Sequence, residues 1–573
     1  MRTIALAITA AFAVAQRFVD EGRGKQRASL IDGRFPMKRL AIAFAVLLSA
    51  PAYAAKPMSC ESLTGLRLPD TTITTATVVP AATFNPAIVT TACRVAGSIK
   101  PTSDSDIRFE VWMPTEGWNG KFLSAGEGGY AGSINYGGIG GALRRGYAGG
   151  STDTGHVGGT ADFAPGHPEK VTDFGWRGKH LQAARSKDII GAFYGESIKH
   201  SYFSSCSNGG RQALMEIQRF PEDYDGVLVG APANNWTHHF AGFIWNEQAL
   251  FSTPGAHMSA SKLAAVQAET LRTCDVLDGV VDGVAEDPRR CKFDPASIAC
   301  PAGTDGPSCL TPPQVGAVRK IMQGPRNPRT GGQIYPGYFT SAAGEAASWP
   351  AWITGPPVAG ASIQAFFGNG FFGRIVEEIP PPGVWDWAGF DFDSDMAFAD
   401  RKTEHTMNAT EADLSRFTHR NRRGKIIMWH GWEDPAISGA DAVDYYRQVV
   451  RENDDSTDFF RLFMVPGMLH CGGGPGPNAF GQSLPQAQPL SGSPQHDILS
   501  ALELWVEEGV APEKIIAVKY VNDQPAQGVA RTRPLCVYPK VAVYKGSGST
   551  NDAANFACRT PKGEKHGDDD DDD

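Results

Sequence analysis

The stretch His200-Ser-Tyr-Phe-Ser-Ser-Cys-Ser-Asn-Gly-Gly-Arg-Gln-Ala-Leu-Met215 constrains the fold of this chain more than any other. Tyr202 and Phe203 end a strand-like run, Gly209 and Gly210 permit a sharp turn, and Leu214 and Ile217 open a helical face. Strand, tight turn and helix in this order make a nucleophile elbow, on which the hydroxyl of Ser207 stands clear of the backbone. The helix start behind it offers free N–H groups and a positive dipole end to an oxyanion. The usual pattern is Gly-x-Ser-x-Gly, and here Ser205 replaces the first glycine. Five residues also describe a Ser/Gly-rich surface turn, so the rest of the chain has to decide.

Upstream, Thr71–Val79 and Ala87–Ala96 have β character, Ile107–Met113 alternates like a strand, and Lys121–Ser124 is another short strand. That last strand runs into Gly126-Glu-Gly-Gly-Tyr-Ala-Gly132, the place where an elbow-type hydrolase keeps a second oxyanion donor. The N–H of Gly129 is the candidate, with Gly128 as its neighbour. No Lys-Ser/Thr follows, so this is not a phosphate loop. Asp153 and His156 in the turn Ser151-Thr-Asp-Thr-Gly-His156 read as loop-bracing groups. Trp176–Tyr194 reads as a helix and Tyr224–Pro232 as an apolar strand closed by a turn. Alternating strands and helices predict an α/β sheet.

From about residue 236 to 410 the βα rhythm stops, and proline, glycine and aromatic residues increase. This segment reads as an inserted lid domain between two halves of an α/β core, 55–235 and 411–560. Inside it, Cys274-Asp-Val-Leu-Asp-Gly-Val-Val-Asp-Gly-Val284 interleaves Asp275, Asp278 and Asp282 with glycines. That pattern suits a hard cation bound by oxygen ligands, though not with the spacing of an EF-hand, and it also describes a solvated acidic turn. The rhythm resumes with the strand Lys425–Trp429, with Asp434 in the loop beyond it. Phe459–Val465 is the next strand, with His470 in the loop that follows. Residues 477–495 read as flexible, His496–Glu508 as a helix, and Arg531–Cys558 as a loop closed by a disulfide and packed on the core.

The segment 37–54 has a basic start, an apolar middle and an Ala52-Tyr53-Ala54 cleavage pattern, as in a secretory signal. Residues 1–36 before it read as a mis-called start. The apolar run is too short for a comfortable membrane span, so the product is expected in the periplasm or outside the cell, with no membrane partner. The formal net charge of -9 argues against nucleic acid, although part of it sits in the acidic run Asp568–Asp573 of a tail expected to be disordered, 561–573.

Ten cysteines in an exported chain read as disulfides rather than as free thiols or a zinc site. Cys60 and Cys93, Cys274 and Cys291, Cys300 and Cys309, and Cys536 and Cys558 are sequence-close pairs. Cys206 and Cys471 remain, one beside the candidate nucleophile and one beside the candidate base. A bridge between them would clamp the two together.

Ser207, Asp434 and His470 each follow a strand, where active groups collect in open α/β sheets. Their order, serine then acid then histidine, is that of the α/β-hydrolase arrangement. The histidine takes the serine proton, and the carboxylate fixes the histidine tautomer. Backbone N–H groups of Asn208 and Gly129 would hold the oxyanion.

Cys206-Ser207, His470-Cys471 and the intervening Asp434 resemble the tannase and feruloyl esterase family. So do Ser151–His156, Ser207-Asn-Gly-Gly-Arg211, Cys274–Asp287, Val465-Pro-Gly-Met468 and Arg531-Thr-Arg-Pro-Leu-Cys536. The resemblance implies an α/β-hydrolase fold with a lid inserted before the acid, and the same five disulfide pairs. It also implies a structural Ca2+ in the lid, held by Asp275, Asp278 and Asp282 and the carbonyls of Val280 and Val284. The family includes a hydrolase of mono(2-hydroxyethyl) terephthalate with a lid arginine for the substrate's free carboxylate. Arg374 falls about two positions from that place, and Phe371 and Phe372 fill the neighbourhood. The expected function is therefore a secreted serine esterase that cleaves small aromatic esters of the feruloyl or galloyl kind through an acyl-enzyme. Alternatives are a hydrolase of terephthalate monoesters, a serine peptidase of the same fold, and a non-catalytic exported binding protein stabilised by calcium.

Overall fold

The computed structural model describes residues 56–419, 423–482 and 492–561. The leader and start region expected over 1–54 lies outside them, as does the acidic tail after residue 561. The chain divides into residues 1–53 and 54–573, and everything described belongs to the second unit.

Nine strands form one mixed sheet. In chain order they are β1 (Thr71–Val79), β2 (Ala92–Ile99), β3 (Ile107–Pro114), β4 (Lys121–Ala125), β5 (Ala148–Thr152), β6 (His200–Cys206), β7 (Gly226–Gly230), β8 (Lys425–Gly431) and β9 (Phe460–Val465). Their order in space is β1-β2-β3-β5-β4-β6-β7-β8-β9. The first three are an antiparallel meander, and β3 pairs antiparallel with β5. From β5 to β9 every neighbouring pair is parallel. Parallel neighbours need crossovers, and helices supply them. α1 (Tyr136–Arg144) lies between β4 and β5, α2 (Gly178–Tyr194) between β5 and β6, and α3 (Asn208–Arg219) between β6 and β7.

The central strands are apolar on both faces, as helix-covered parallel strands are. Along β6, Phe203 joins one core with Val227, Met428 and Leu214, and Tyr202 joins the opposite core with Leu228, Trp429 and Trp505. Among the described residues, no strand of this sheet falls between Gly230 and Lys425. That long insertion includes α4 (Trp236–Phe251) and α5 (Ile363–Gly370), and its aromatic residues Phe240, Phe243, Trp349, Phe371 and Phe372 share a third core. After it come α6 (Gly439–Glu452), between β8 and β9, and α7 (Ile498–Glu508). The molecule is an α/β-hydrolase fold.

Four local expectations change. The strand expected from Ala87 begins at Ala92, because the side chain and carbonyl of Asn85 accept the amides of Ala87 and Ile88 at 2.9 Å each and hold a turn there. The helix expected from Trp176 has an earlier start: a short helix at Pro168–Thr172 continues through one π turn, Asp173–Arg177, into α2. Arg531–Cys558 is not a loop. β10 (Lys514–Tyr520) pairs with β11 (Val529–Cys536), and β12 (Val541–Tyr544) pairs with β13 (Phe556–Arg559). Pro534 is tolerated because a two-stranded ribbon consists only of edges. Of the stretch 477–495, residues 483–491 lie outside the described ones, while the amides of Asn478 and Ala479 are tied to the Val518 carbonyl at 3.2 and 3.0 Å.

The ten cysteines pair as read from the sequence: 60 with 93, 206 with 471, 274 with 291, 300 with 309, and 536 with 558. Among the described residues, no helix is long and apolar enough to cross a membrane.

Candidate active site

β6 ends at Cys206 and α3 begins at Asn208, so Ser207 makes the whole turn between them, at φ 68° and ψ -128°. A non-glycine residue at positive φ is strained, and such strain is characteristic of an elbow nucleophile. The turn is held from below: the Ser207 amide donates to the Gly230 carbonyl at 3.0 Å, and the Arg211 amide donates to the Ser207 carbonyl at 3.1 Å. Ser205 fits in place of the usual glycine because position 209 has no side chain; a Cβ there would meet Ser205 Oγ at 2.0 Å.

The loops after β8 and β9 bring the other two groups to this turn. His470 Nε2 lies 3.0 Å from Ser207 Oγ, and His470 Nδ1 lies 2.8 Å from Asp434 Oδ2. The other carboxylate oxygen, Asp434 Oδ1, accepts the amides of Ala436 at 2.8 Å and Ile437 at 3.0 Å. Burial alone would push the Asp434 carboxyl up, but the rings of His470 and His430 outweigh it and hold the acid well below the ordinary carboxylate range. His430, on β8, is the partner that sequence reasoning missed: its Nε2 lies 2.9 Å from the Ile437 carbonyl and 3.3 Å from Asp434 Oδ2. The adjacent carboxylate, Glu433, points elsewhere. It accepts the Ser341 hydroxyl and, at 3.1 Å, the Ala342 amide, and burial pushes it up to about 7. The Cys206–Cys471 bridge ties the residue before Ser207 to the residue after His470.

Gly128, Gly129 and Asn208 line the same cavity as Ser207 and His470. Among the described residues, the amides of Gly129 and Asn208 donate to no backbone carbonyl outside their own elements. The cavity is about 270 Å³, and much of its remaining wall is aromatic: Trp236, Phe240 and Phe243 from α4, with Trp352 and Phe367 from further along the insertion, beside Ala233, His239, Ala436 and Ile437. The Trp352 ring stands edge-on to His470, with centroids 5.0 Å apart. An apolar, largely preformed cleft with a few convergent polar groups is the usual form of a small-ligand site.

The family comparison agrees with this geometry. A family model described as tannase and feruloyl esterase matches residues 93–559. The chain belongs to the tannase and feruloyl esterase family. With it, the protein is a carboxylic ester hydrolase. An uncharacterized esterase of Xanthomonas campestris is 44% identical, over 92% of this chain and 96% of that one. The mono(2-hydroxyethyl) terephthalate hydrolase of Piscinibacter sakaiensis is 34% identical, over 85% of this chain and 89% of its own. The crystal structure of feruloyl esterase B from Aspergillus oryzae superposes with a TM-score of 0.79 at 30% identity, covering 87% of this chain and 99% of that one.

Other expected residues stand as follows. Phe371 and Phe372 belong to the insertion's core and do not line the cavity, so the aromatic wall comes from Phe367 and Trp352 instead. Arg374 is held away from it, donating to Asp162 at 2.9 Å and to the carbonyls of Ile379 and Gly383 at 2.8 Å each. Asp153 braces its loop by accepting the amides of Arg108 and Gly155 at 2.9 Å each, and His156 stacks on Phe163 at 3.9 Å. Neither faces the Ser207 cavity.

Of the expected cation ligands, Asp278, Asp282 and Val284 surround a small cavity of about 10 Å³, and Glu286 joins them. Asp275 and Val280 do not line it. The Asp275 carboxylate instead accepts the amides of Asp282 at 3.2 Å and Gly283 at 2.9 Å, which shapes the loop. Burial pushes Asp278 up to about 6 and Glu286 up to about 8. Asp282 Oδ2 pairs with Arg531 at 3.0 Å and also with Arg533, while its Oδ1 is buried with no hydrogen-bond partner. Half-buried carboxylates with an orphaned oxygen, gathered with Arg533 around a space of one ion, fit a hard divalent cation.

Proposed function

We propose that this chain is an exported serine esterase that hydrolyses esters of uncharged aromatic acids through an acyl-enzyme. The observation that carries the reading is the unbroken chain from Ser207 Oγ to His470 to Asp434, at 3.0 and 2.8 Å, opening into an aromatic cavity. In this reading the ester's acyl ring lies against Trp352, Phe367 and the aromatic face of α4. His470 Nε2 takes the Ser207 proton as Oγ attacks the ester carbonyl, and Asp434 holds the tautomer and stabilises the imidazolium. The amides of Asn208 and Gly129 receive the oxyanion, each contributing about 3 kcal/mol to the transition state. His470 then gives its proton to the leaving alcohol, and water repeats the sequence on the acyl-enzyme.

The lining explains the preference for uncharged acids. Among the described residues that line the cavity there is no lysine or arginine, and Arg374 is engaged elsewhere. A free carboxylate on the acid would enter this apolar cleft with no lysine or arginine to pair with it, which is unfavourable. This separates the reading from a terephthalate monoester hydrolase, although one relative carries that name. The signal-like segment 37–54 and the five disulfides support export. Ca2+ is proposed to sit among Asp278, Asp282, Glu286 and Val284 in a structural role.

The test is a turnover panel of methyl ferulate, methyl gallate, mono(2-hydroxyethyl) terephthalate, a p-nitrophenyl ester and a p-nitroanilide, with Ser207→Ala as control. Hydrolysis of the neutral esters, abolished in Ser207→Ala, is the expected outcome. Turnover that survives in Ser207→Ala, or a preference for the terephthalate monoester or the anilide, would overturn it. For calcium, metal analysis of the purified protein and a fall in Tm on chelation are the expected outcomes, and a calcium-free protein of unchanged Tm would exclude the ion.

A further inference from the structure

The loop after β4 carries the proposed oxyanion donor Gly129, and three of its first four residues, Gly126, Gly128 and Gly129, are glycines. Glycine lets a backbone approach a ligand closely, but it loses more freedom on folding than any other residue, so such a loop needs an outside anchor. Glu127 is the exception in this run, and it is tied down at both ends. Its amide donates to Gln212 Oε1 at 3.0 Å. Its carboxylate reaches into the core, where Oε1 accepts the Ser151 hydroxyl at 2.9 Å, the Thr152 amide at 3.1 Å and the Lys179 ammonium at 3.1 Å.

Lys179, near the start of α2, lies as deep as its partner, with both side chains 2% exposed. Its Nζ also donates to the carbonyl of Ala125, the last residue of β4, at 2.5 Å, and stands 5.3 Å from the centre of the Phe203 ring on β6. Burial pulls the ammonium down, and Glu127 opposes that pull. A pair this deep adds little to stability, because the cost of desolvating two charges offsets their attraction. What it fixes is position: through Glu127 the loop is joined to β5, to α2 and to α3.

The link to α3 bears most directly on the chemistry. Gln212 follows Asn208 by four residues, so the two lie on the same side of that helix. Asn208 supplies the other proposed oxyanion amide. The bond from the Glu127 N–H to Gln212 Oε1 therefore ties the loop bearing one donor to the helix bearing the other. The Cys206–Cys471 bridge links the nucleophile to its base, and this second tie links the two donors.

We propose that Glu127, held by Lys179 and Gln212, is a positioning residue for the oxyanion hole, setting the Gly129 amide at a fixed place relative to the Asn208 amide. The proposal rests on the reading of these two amides as the oxyanion donors of a serine esterase, and it adds the device that registers them.

The experiment uses two variants of the full chain. Gln212→Met removes the bridge to α3 and leaves the ion pair. Glu127→Gln combined with Lys179→Met removes both charges together, since either one alone would be left buried without a partner. Each is measured for kcat and KM on a p-nitrophenyl ester, and for inhibition by an aryl trifluoromethyl ketone and the matching methyl ketone. Ser207 Oγ adds to the carbonyl carbon of the fluorinated ketone, His470 takes the Ser207 proton, and the ketone oxygen becomes an oxyanion. The methyl ketone occupies the cleft without that step. In both variants kcat is expected to fall about ten- to a hundredfold with KM within about twofold of the wild type, as for a reacting geometry displaced by a fraction of an ångström. Affinity for the trifluoromethyl ketone should fall by the same factor as kcat, while that for the methyl ketone holds. Wild-type kcat in the folded variants, a loss confined to KM, a lowered Tm with kcat unchanged, or an unchanged ratio of the two ketone affinities would overturn the proposal. If the double variant does not accumulate, Gln212→Met decides alone. Failure of the serine-esterase reading shows in other enzymes: the wild type would bind the trifluoromethyl ketone no better than the methyl ketone, or Ser207→Ala would keep its turnover.

Discussion

Replacing Asp434 by asparagine tests the proton relay at its most buried point. The substitution changes one atom, and the structure dictates which way the new amide faces. Asp434 Oδ1 accepts two backbone amides, from Ala436 and Ile437, at 2.8 and 3.0 Å. An asparagine must keep its oxygen there, because turning its NH2 toward two N–H groups would leave three donors facing one another. The NH2 therefore takes the place of Oδ2, 2.8 Å from His470 Nδ1. Opposite a donor, Nδ1 becomes the acceptor and the ring hydrogen moves to Nε2, the nitrogen that faces Ser207 Oγ. The base is then in the wrong tautomer. For serine hydrolases this lowers kcat by about 10⁴, or about 5.5 kcal/mol at roughly 1.4 kcal/mol per tenfold. The assay is steady-state hydrolysis of a p-nitrophenyl ester, with near-UV circular dichroism to verify the fold. KM should change little, because Asp434 is not among the residues that line the cavity. An Asp434→Asn enzyme retaining more than about a tenth of the wild-type kcat, or losing rate only through KM, would refute the tautomer argument.

Three further outcomes follow from the fold. Replacing Cys206 and Cys471 together by alanine opens a link spanning 265 residues, and chemical denaturation should register a loss of up to about 5.6 kcal/mol, the ceiling of the chain-entropy account. kcat should fall as well, since small displacements of reacting groups are costly. Gly210→Ala should lower stability by about 1–3 kcal/mol, measured by thermal unfolding, because the added Cβ would meet the Gly230 carbonyl oxygen at 2.3 Å and push α3 off β7. Asp441, buried in the first turn of α6, is pushed up to about 8 by burial and by Asp444. Its folded value lies above the unfolded one, so its contribution to stability is fully present below pH ~4 and is lost as pH rises through about 8. The Tm of the wild type should decline over that window, and Asp441→Asn should flatten the decline.

Much of the candidate site was legible because each of its three groups sits beyond a strand of the parallel sheet. Strand ends can be read from apolar runs, and Ser207, Asp434 and His470 follow three of them. The local disulfides were legible because their cysteines are close in sequence. Other features depend on long-range packing. β5 lies between β3 and β4 in space, an order that no local pattern carries. The disulfide-bounded stretch Arg531–Cys558 suggested a loop, where the chain supplies most of β11 and the β12–β13 pair. The aromatic wall was half visible: Trp236, Phe240 and Phe243 recur at helical spacing, the pattern of an amphipathic stripe, but only tertiary contact adds Trp352 and Phe367. At the cation loop, the aspartates at 275, 278 and 282 were legible as a cluster of oxygen donors, whereas Glu286, outside that pattern, comes to the cavity only through the fold, and the two amides accepted by Asp275 are set by the turn of the loop.

The four residues from Asp434 to Ile437 belong to two machines at once. Asp434 holds the His470 ring, Ala436 and Ile437 wall the cavity, and the Ala436 and Ile437 carbonyls fix the rings of His239 and His430. A helical insertion transplanted from a relative would arrive without this tetrapeptide, which lies on the far side of β8. Such a chimera would inherit a new wall on a foreign hinge, so swaps aimed at altering substrate choice should carry residues 434–437 along with the insertion.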